Sequence, residues 1–308
     1  ALRYAERGIA HCEAQGVELF NVRIRVRRAF VRIVMGDWAL ADADLDEVAQ
    51  HHSPSPMEAT THSYVAALLA LRRGDAQAVR RLLDAVADMR RKRLETWFIP
   101  TAVPLVEAAW LAGDQAALDA AARPGLARML EVDDRWRIGE LAAWLQRAGL
   151  PIDRSQLPPL PAPYALELSG RWCEAAAEWQ RLGCPYDRAL ALCCGDSDAL
   201  REALAIFRSL GAEPAAARTC ALLRERGVRG VPRGPQPRTR DDPLGLTGRE
   251  RTVFDLVRQG LSNAAIASRL HRSERTVEHH VAAVLRKSGS ASRVELMARH
   301  RGVPAAHA

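Results

Sequence analysis

The chain has 308 residues, of which 48% are hydrophobic and 5% aromatic. This composition suffices for a buried core and excludes a disordered chain, while the abundance of Ala and Leu favours helices over sheets. No apolar run reaches the roughly 18 residues that span a bilayer, and we find no secretory signal, so we expect a cytoplasmic protein without a membrane partner. Because Ala1 lies inside a helical pattern, we also expect further sequence upstream of it.

The formal net charge of +7 is concentrated near the C-terminus. Residues 228–308 contain 15 Arg or Lys and 7 Asp or Glu, whereas residues 1–227 contain 29 basic and 30 acidic side chains. A local positive excess is typical of proteins that bind a polyanion. A solvated surface without such a partner would carry the same charge, so charge alone does not decide between the two.

A short phrase built on Gly, a polar residue and Ala recurs in the first 227 residues. Its glycines are Gly36, Gly74, Gly113 and Gly170, at intervals of 38, 39 and 57 residues, and the longest interval contains a Pro-rich insert at 150–163. Periods of this length predict stacked helix-turn-helix repeats, in which each Gly ends a helix and the next Asp caps its successor. The helices within 198–227 are predicted to close the stack. The pattern resembles degenerate tetratricopeptide repeats.

Seven tryptophans lie in this predicted repeat domain, residues 1–227. We expect most of them to fill gaps between alanine-rich helices, and the alternative is that a few line a concave face that binds a protein or small-molecule effector. The six cysteines form no C-x-x-C pair, so they predict reduced, small core residues rather than a metal or redox site. The positions are Trp38, Trp97, Trp110, Trp136, Trp144, Trp172 and Trp179, and Cys12, Cys173, Cys184, Cys193, Cys194 and Cys220.

Residues 228–245 contain four prolines, several glycines and four arginines, a composition that predicts an extended, semi-stiff linker. A module of four short helices is predicted to follow, over residues 246–308. Thr247 and Glu250 have the spacing of a capping box, Gly260 ends the first helix, and Ser262 and Ser273 cap the second and third. Ser292 and Glu295 form a second capping box before the fourth helix. The predicted buried residues are Val253, Phe254, Val257 and Leu261, then Ile266, Ala267 and Leu270, then Val277, Val281, Val284 and Leu285, and finally Val294, Met297 and Ala298.

The second and third helices are joined by a turn of about three residues, which predicts a helix-turn-helix motif. The unburied face of the third helix carries Arg275, Glu278, His279, Ala282 and Arg286 at helical spacing. A helix with such a face fits the major groove of DNA, where arginine pairs with guanine or phosphate and a carboxylate accepts from the amino group of cytosine.

Residues 246–299 closely resemble the LuxR-type helix-turn-helix of bacterial regulators, through the segments LTGRE, GLSNAAIASRL, SERTVEHHV, LRKSG and SRVEL. The resemblance implies a sequence-specific transcriptional regulator whose third helix reads an operator in double-stranded DNA and whose fourth helix mediates homodimer contacts. It places Asn263, Thr276, Arg286 and Lys287 on the DNA backbone, and Glu278, His279 and Ala282 at base-reading positions. Some members have Lys where Glu278 stands, so an acid there implies a different site preference.

The chain from about residue 164 is also similar to the end of large ATP-binding LuxR-type regulators. It has no G-x-x-x-x-G-K-[ST] loop and no catalytic signature, so we expect no enzyme activity and no cofactor in this chain. Two alternatives remain: a protein-binding repeat scaffold, or the C-terminal part of a nucleotide-switch ATPase whose catalytic domain lies elsewhere. His279 and His280 point about 100° apart on a helix, which disfavours a shared metal ion.

Overall fold

A computed structural model describes residues 1–50, 56–75, 77–91, 102–228, 244, 246–270, 272–290 and 292–299. Within these ranges every regular element is a helix, which confirms the predicted all-α class. The chain divides into two compact units, Ala1–Val231 and Pro232–Ala308. Most of the predicted linker and Trp97 lie outside the described residues. None of the described helices has both the length and the apolar character needed to cross a membrane.

The first unit is an array of helices joined mostly by short turns. In chain order they are α1 (Leu2–Gln15), α2 (Glu18–Met35), α3 (Trp38–Ala49), α4 (Pro56–Arg73), α5 (Ala78–Arg91), α6 (Ala102–Ala112), α7 (Gln115–Glu131), α8 (Arg135–Arg147), α9 (Ala162–Leu168), α10 (Trp172–Leu182), α11 (Pro185–Leu192), α12 (Ser197–Leu210) and α13 (Glu213–Glu225). A short 3-10 turn, Arg154–Gln156, lies in the Pro-rich insert.

The recurrent glycines end helices in the left-handed conformation, as predicted. Gly36 has a φ of 85° and Gly74 a φ of 88°, values that residues with a Cβ rarely adopt. The space is also restricted, because a Cβ on Gly36 would lie 2.8 Å from Cγ of Pro185. The capping role of the following Asp is confirmed only in part. The Asp114 carboxylate accepts from the N–H of Ala117, whereas Asp37 makes no side-chain cap bond.

The last helices of this unit pack back onto the first ones. Consecutive helices contact each other along the chain, and in addition α11 contacts α2 while α13 contacts α4 and α6. Two prolines in the first turns of these late helices meet the early glycine turns, Pro185 at Gly36 and Pro214 at Gly74. The array therefore curls, and residues 198–227 do close it, by contact with α4 and α6.

A buried ion pair connects three of these helices. Arg72 of α4 donates to both carboxylate oxygens of Glu107 on α6, at 2.9 and 3.0 Å. The hydroxyl of Tyr186 on α11 donates to the same carboxylate at 2.7 Å, and the Arg72 guanidinium lies 4.0 Å from the centre of the Tyr186 ring. The two carboxylate contacts compensate the buried charges, while Nη1 of Arg72 remains buried without a hydrogen-bond partner among the described residues.

The core of the first unit contains most of its tryptophans and cysteines. Trp38, Trp110, Trp144 and Trp179 are buried, whereas Trp136 is 42% exposed. Cys12, Cys184, Cys193 and Cys220 are buried free thiols, but Cys173 is exposed. The prediction that all six cysteines are core residues is therefore wrong for Cys173, which lies off the face of α10 that buries Ala175, Ala176 and Trp179.

The second unit contains α14 (Gly248–Arg258), α15 (Asn263–Leu270), α16 (Glu274–Lys287) and α17 (Arg293–Arg299). The predicted capping box is confirmed, since the Thr247 hydroxyl accepts from the N–H of Glu250 and the Glu250 carboxylate accepts from the N–H of Thr247. Ser262 and Ser273 accept from the N–H groups of Ala265 and Thr276, both at 3.2 Å. The buried core of the unit consists of Leu246, Val253, Phe254, Leu256, Val257, Ile266, Ala267, Val277, Val281, Val284 and Leu296.

The face that α17 buries differs from the prediction. Leu296 is the buried residue of this helix, whereas Val294 is 70% exposed and Ala298 is also exposed. With only two turns, α17 has too few positions for periodicity to define a face, and its contact with α14 decides the orientation.

Lys287, at the C-terminal end of α16, is joined to the start of α14. Its ammonium donates to the Glu250 carboxylate at 2.7 Å. Partial burial raises the pKa of Glu250, but the Lys287 ammonium and the Thr247 backbone and side-chain hydrogen bonds outweigh it, so the pKa is lowered overall. The capping box of the first helix and the end of the third are thus connected through one carboxylate.

Glu107→Ala should destabilise the first unit by about 3–5 kcal/mol, because it leaves the Arg72 cation buried without its partner. All seven tryptophans lie in this unit. Urea unfolding followed by tryptophan fluorescence therefore reports on it alone. Asp198→Ala removes an equivalent charge from a pair with Arg201 in which the aspartate side chain is 88% exposed, and should leave the midpoint unchanged. Equal midpoints for Glu107→Ala and the wild type would contradict a structural role for the pair.

Lys287→Ala should lower the stability of the second unit by about 1 kcal/mol at neutral pH. Because the pKa of Glu250 is lowered on folding, its contribution is present above the usual glutamate pKa of 4.5 and is lost as the pH falls below that value. The difference between variant and wild type should therefore shrink in acid. Hydrogen exchange of peptides from α14 and α16 measures this stability difference in the full chain. Arg286→Ala, the neighbouring exposed cation, is the control, and an identical effect of both variants would count against the ion pair.

Candidate nucleic-acid interface

In the helix-turn-helix, one face of α16 packs against the other helices and the opposite face is exposed to solvent. Ser273 fixes the start of the helix, while Val277, Val281 and Val284 are buried against α14 and α15. This arrangement arises from apolar residues at positions i, i+4 and i+7 of the helix. The position and rotation of α16 are thus determined by the core of the module.

The opposite face of α16 consists of exposed side chains. It contains Arg275, Glu278, His279, Ala282 and Arg286, which we call the outer face. None of these five side chains forms an ion pair or a side-chain hydrogen bond with another described residue. An α-helix fits the major groove, whose width is about 12 Å, and uncommitted donors and acceptors on it can meet base edges and phosphates. On this face Arg275 and Arg286 lie near opposite ends of α16, with the Glu278 carboxylate and the His279 imidazole between them.

Asn263 begins α15 and is held in place by the fourth helix. Its side-chain oxygen accepts from Nη1 of Arg293 on α17 at 3.0 Å. With the oxygen occupied, the amide nitrogen is the end of the Asn263 side chain that remains available to an external acceptor such as a phosphate. Arg293 therefore acts as a positioning residue for Asn263. The two residues are 30 positions apart, so the sequence alone does not indicate this contact.

Thr276 lies beside a cleft of about 250 Å³ at the start of α16. Arg249 and Arg272 line this cleft together with Thr276 and His280. Both arginines are exposed and were missed by the sequence reasoning, which selected only residues on helix faces. The available signal was their position, because Arg249 follows the cap of α14 and Arg272 lies in the turn between α15 and α16. They add two positive charges next to a hydroxyl that is predicted to contact phosphate.

Lys287 differs from the residues of the outer face, since its ammonium already binds Glu250. Arg286, its neighbour, has no such partner among the described residues. His279 is exposed, whereas His280 is half-buried, so the two adjacent imidazoles have different environments. Within the described residues no group of three or more His, Cys, Asp or Glu side chains is arranged to hold a metal ion.

Comparison with known proteins identifies the C-terminal module. Residues 244–299 match the family described as bacterial regulatory proteins, luxR family. The chain is 48% identical over 54 residues to the response regulator Rre1 of Synechocystis sp.. It is 52% identical over 61 residues to a putative HTH-type transcriptional regulator of Mycobacterium bovis. It is 42% identical over 57 residues to the DNA-binding transcriptional activator DevR/DosR of Mycobacterium tuberculosis.

These similarities are confined to a short part of every protein compared. They cover 18%, 19% and 18% of this chain, and 23%, 7% and 26% of the respective relatives. No solved structure matches the chain significantly. The family match coincides with the capped helices and the exposed third helix described above. Residues 244–299 are therefore a LuxR-type helix-turn-helix DNA-binding domain of the kind found in bacterial transcriptional regulators.

Proposed function

We propose that this chain is a sequence-specific, DNA-binding transcriptional regulator that acts in the bacterial cytoplasm. The observation that carries the proposal is the outer face of α16, whose polar side chains have no partner among the described residues in a domain that matches a DNA-binding family. In this proposal residues 1–227 form the sensing or partner-binding domain, 228–245 the linker and 246–308 the DNA-binding domain.

The side chains of the module divide into two roles on DNA. Glu278, His279 and Ala282, in the middle of the outer face, read base edges in the major groove. Asn263, Arg275, Thr276, Arg286 and Lys287 contact the backbone, which fixes the register of the helix without reading sequence. We add Arg249 and Arg272 to the proposed backbone contacts, because they line the cleft beside Thr276. For Lys287 a phosphate has to displace Glu250, so its contribution is smaller than that of Arg286.

Two copies of the chain are proposed to bind adjacent half-sites as a homodimer. The basis is the LuxR-type resemblance, which assigns dimer contacts to the fourth helix, α17; on this helix the Val294 side chain is 70% exposed and accessible to a second protomer. Two-fold symmetric dimers of helix-turn-helix proteins place their recognition helices about one helical turn of DNA apart. The operator is then expected to be approximately palindromic.

Arg286→Ala should weaken binding to all DNA sequences to a similar extent, because it removes a phosphate contact. The slope of log K against log salt should decrease in magnitude by about one. The measurement is a salt titration of the full chain on a site selected from random DNA. Arg201→Ala removes an exposed arginine from the first unit and serves as the control. An unchanged slope for Arg286→Ala would show that Arg286 does not contact a DNA phosphate.

Glu278→Ala should instead change which base is preferred, at a cost of about 1–3 kcal/mol for the original site. Selection of bound sites from random DNA, carried out with the full-length variant and wild type in parallel, measures the change. Glu274→Ala removes an exposed carboxylate from the first turn of the same helix and should leave the selected sequence intact. Identical selected sites for Glu278→Ala and wild type would exclude Glu278 from base readout.

A further inference from the structure

The first unit contains a cavity that DNA binding does not use. Its volume is about 280 Å³, and it is enclosed by α2, α4, α6 and the segment from α8 to α11. The aliphatic part of the wall includes Val26, Val65, Leu68 and Val103, all of them buried. A mostly apolar cavity of this size with a few polar groups is typical of a small-molecule site.

Three aromatic rings form one side of the cavity. Trp136, Tyr164 and Trp179 have ring centroids 5.2–6.0 Å apart and stand nearly perpendicular to one another, at 74–89°. Tyr164 and Trp179 are buried, whereas Trp136 is partly exposed. Rings set at right angles present a π face as well as edges to a molecule between them. Such a corner binds either an apolar group or an organic cation.

The charged groups of the cavity wall are mostly paired with each other. Arg72 binds Glu107, and Arg137 donates to Glu140 at 2.6 Å. Asp187, in the first turn of α11, forms neither an ion pair nor a hydrogen bond with any other described residue. Burial raises the pKa of this carboxyl to about 6, so it is ionised at neutral pH in an enclosed position. A half-buried carboxylate without an ion-pair partner is partly desolvated, and a bound cation offsets the cost of that desolvation.

We propose that this cavity binds a small organic ammonium ion, with the ammonium on Asp187 and an apolar or aromatic body in the corner of Trp136, Tyr164 and Trp179. This proposal names the chemical class of the effector that the first unit would sense. It rests on the proposed function only in the claim that ligand binding regulates transcription. Binding itself is independent of DNA. The ligand would contact early helices (α2, α4 and α6) and late ones (α9 to α11) at once, and would therefore stabilise the curled array.

An anionic ligand is the competing interpretation, because Arg27 also lines the cavity and because Nη1 of Arg72 and Nε1 of Trp179 are buried donors without a hydrogen-bond partner among the described residues. Burial and the positive charges of Arg137 and Arg23 lower the pKa of Arg27. Arg72 is nevertheless neutralised by Glu107, and Arg27 is exposed, so water already solvates its charge. Asp187 is an enclosed charge without an ion-pair partner among the described residues, so the uncompensated charge of the wall is negative, which favours a cation.

Phenethylamine is a suitable probe, with 3-phenylpropionate as the anionic and 2-phenylethanol as the neutral counterpart of similar shape. Titrations of the full chain, followed by tryptophan fluorescence and ligand-observed NMR, should show saturable binding of the amine with a Kd of about 1 mM and weaker binding of the other two. Asp187→Asn should weaken amine binding at least about tenfold. This variant should fold, because it removes a half-buried charge that has no ion-pair partner among the described residues.

Asp198→Asn is the matched control, since it neutralises an exposed aspartate in the same unit and should leave amine binding unchanged. Trp136→Leu should also weaken binding, and its partial exposure makes the substitution compatible with folding. The charged groups that face Asp187 are Arg72 from α4, Glu107 from α6, and Glu140 and Arg147 from α8. As the carboxyl ionises near pH 6, amine affinity should rise about tenfold between pH 5 and pH 7, and Asp187→Asn should abolish this rise.

Three results would overturn the proposal. One is the absence of saturable amine binding, and another is equal binding of the amine and the alcohol. The third is tighter binding of 3-phenylpropionate that is lost in Arg27→Gln, which would make the cavity an anion site. None of these results depends on DNA. If the chain binds DNA but not the amine, the proposed function stands and the ligand proposal fails. If it binds the amine but not DNA, the ligand proposal stands and the proposed function fails.

Discussion

A buried guanidinium joins the early helices of the curled helical unit to its late ones. Arg72 contacts Glu107 and the ring of Tyr186, and so joins three helices that are far apart in sequence. Contacts between alanine-rich helices are non-directional and allow neighbouring helices to slide, whereas a bidentate ion pair has a single favourable geometry. Such a pair contributes more to register than to stability. Because Arg72 and Glu107 also line the cavity, the shape of the cavity depends on the same network.

The C-terminal module combines the same two kinds of interaction on a smaller scale. Valines bury one face of α16, and the ion pair between Lys287 and Glu250 connects the end of this helix to the cap of α14. The helix α16, which we propose as the recognition helix, is thus fixed at its start by Ser273, along its length by apolar contacts and at its end by a charge pair. A rigid support of this kind would allow a short exposed face to distinguish base pairs, since small displacements would change the hydrogen bonds.

The sequence predicted those features that depend on neighbouring residues. The all-α class, the glycine turns at Gly36 and Gly74, and the capping box of Thr247 and Glu250 arise from local conformational preferences, and the motif of the C-terminal module is compact enough to be recognised directly. Contacts between distant residues were not predictable. Tyr186 lies 79 residues from Glu107, and Lys287 lies 37 from Glu250, so only the tertiary fold brings them together. The cavity wall, to which several helices contribute, was not predictable for the same reason, beyond the alternative that a few tryptophans line a binding face. The two arginines beside Thr276 were missed because only residues on helix faces were selected, and the seven-residue α17 was too short for its buried face to be assigned.

Arg293 and Val294 are adjacent on α17 but have different environments. Arg293 holds the amide of Asn263 at the start of α15, while Val294 is exposed on the surface. If the exposed side of α17 is the homodimer contact, protein association and DNA-backbone contact share one short helix. Pairing of two protomers would reduce the fraying of α17 and so fix the Asn263 side chain before DNA arrives. Dimerisation and phosphate binding would then be thermodynamically coupled within each domain. As a result, the apparent affinity of the protein for a single DNA half-site would depend on protein concentration.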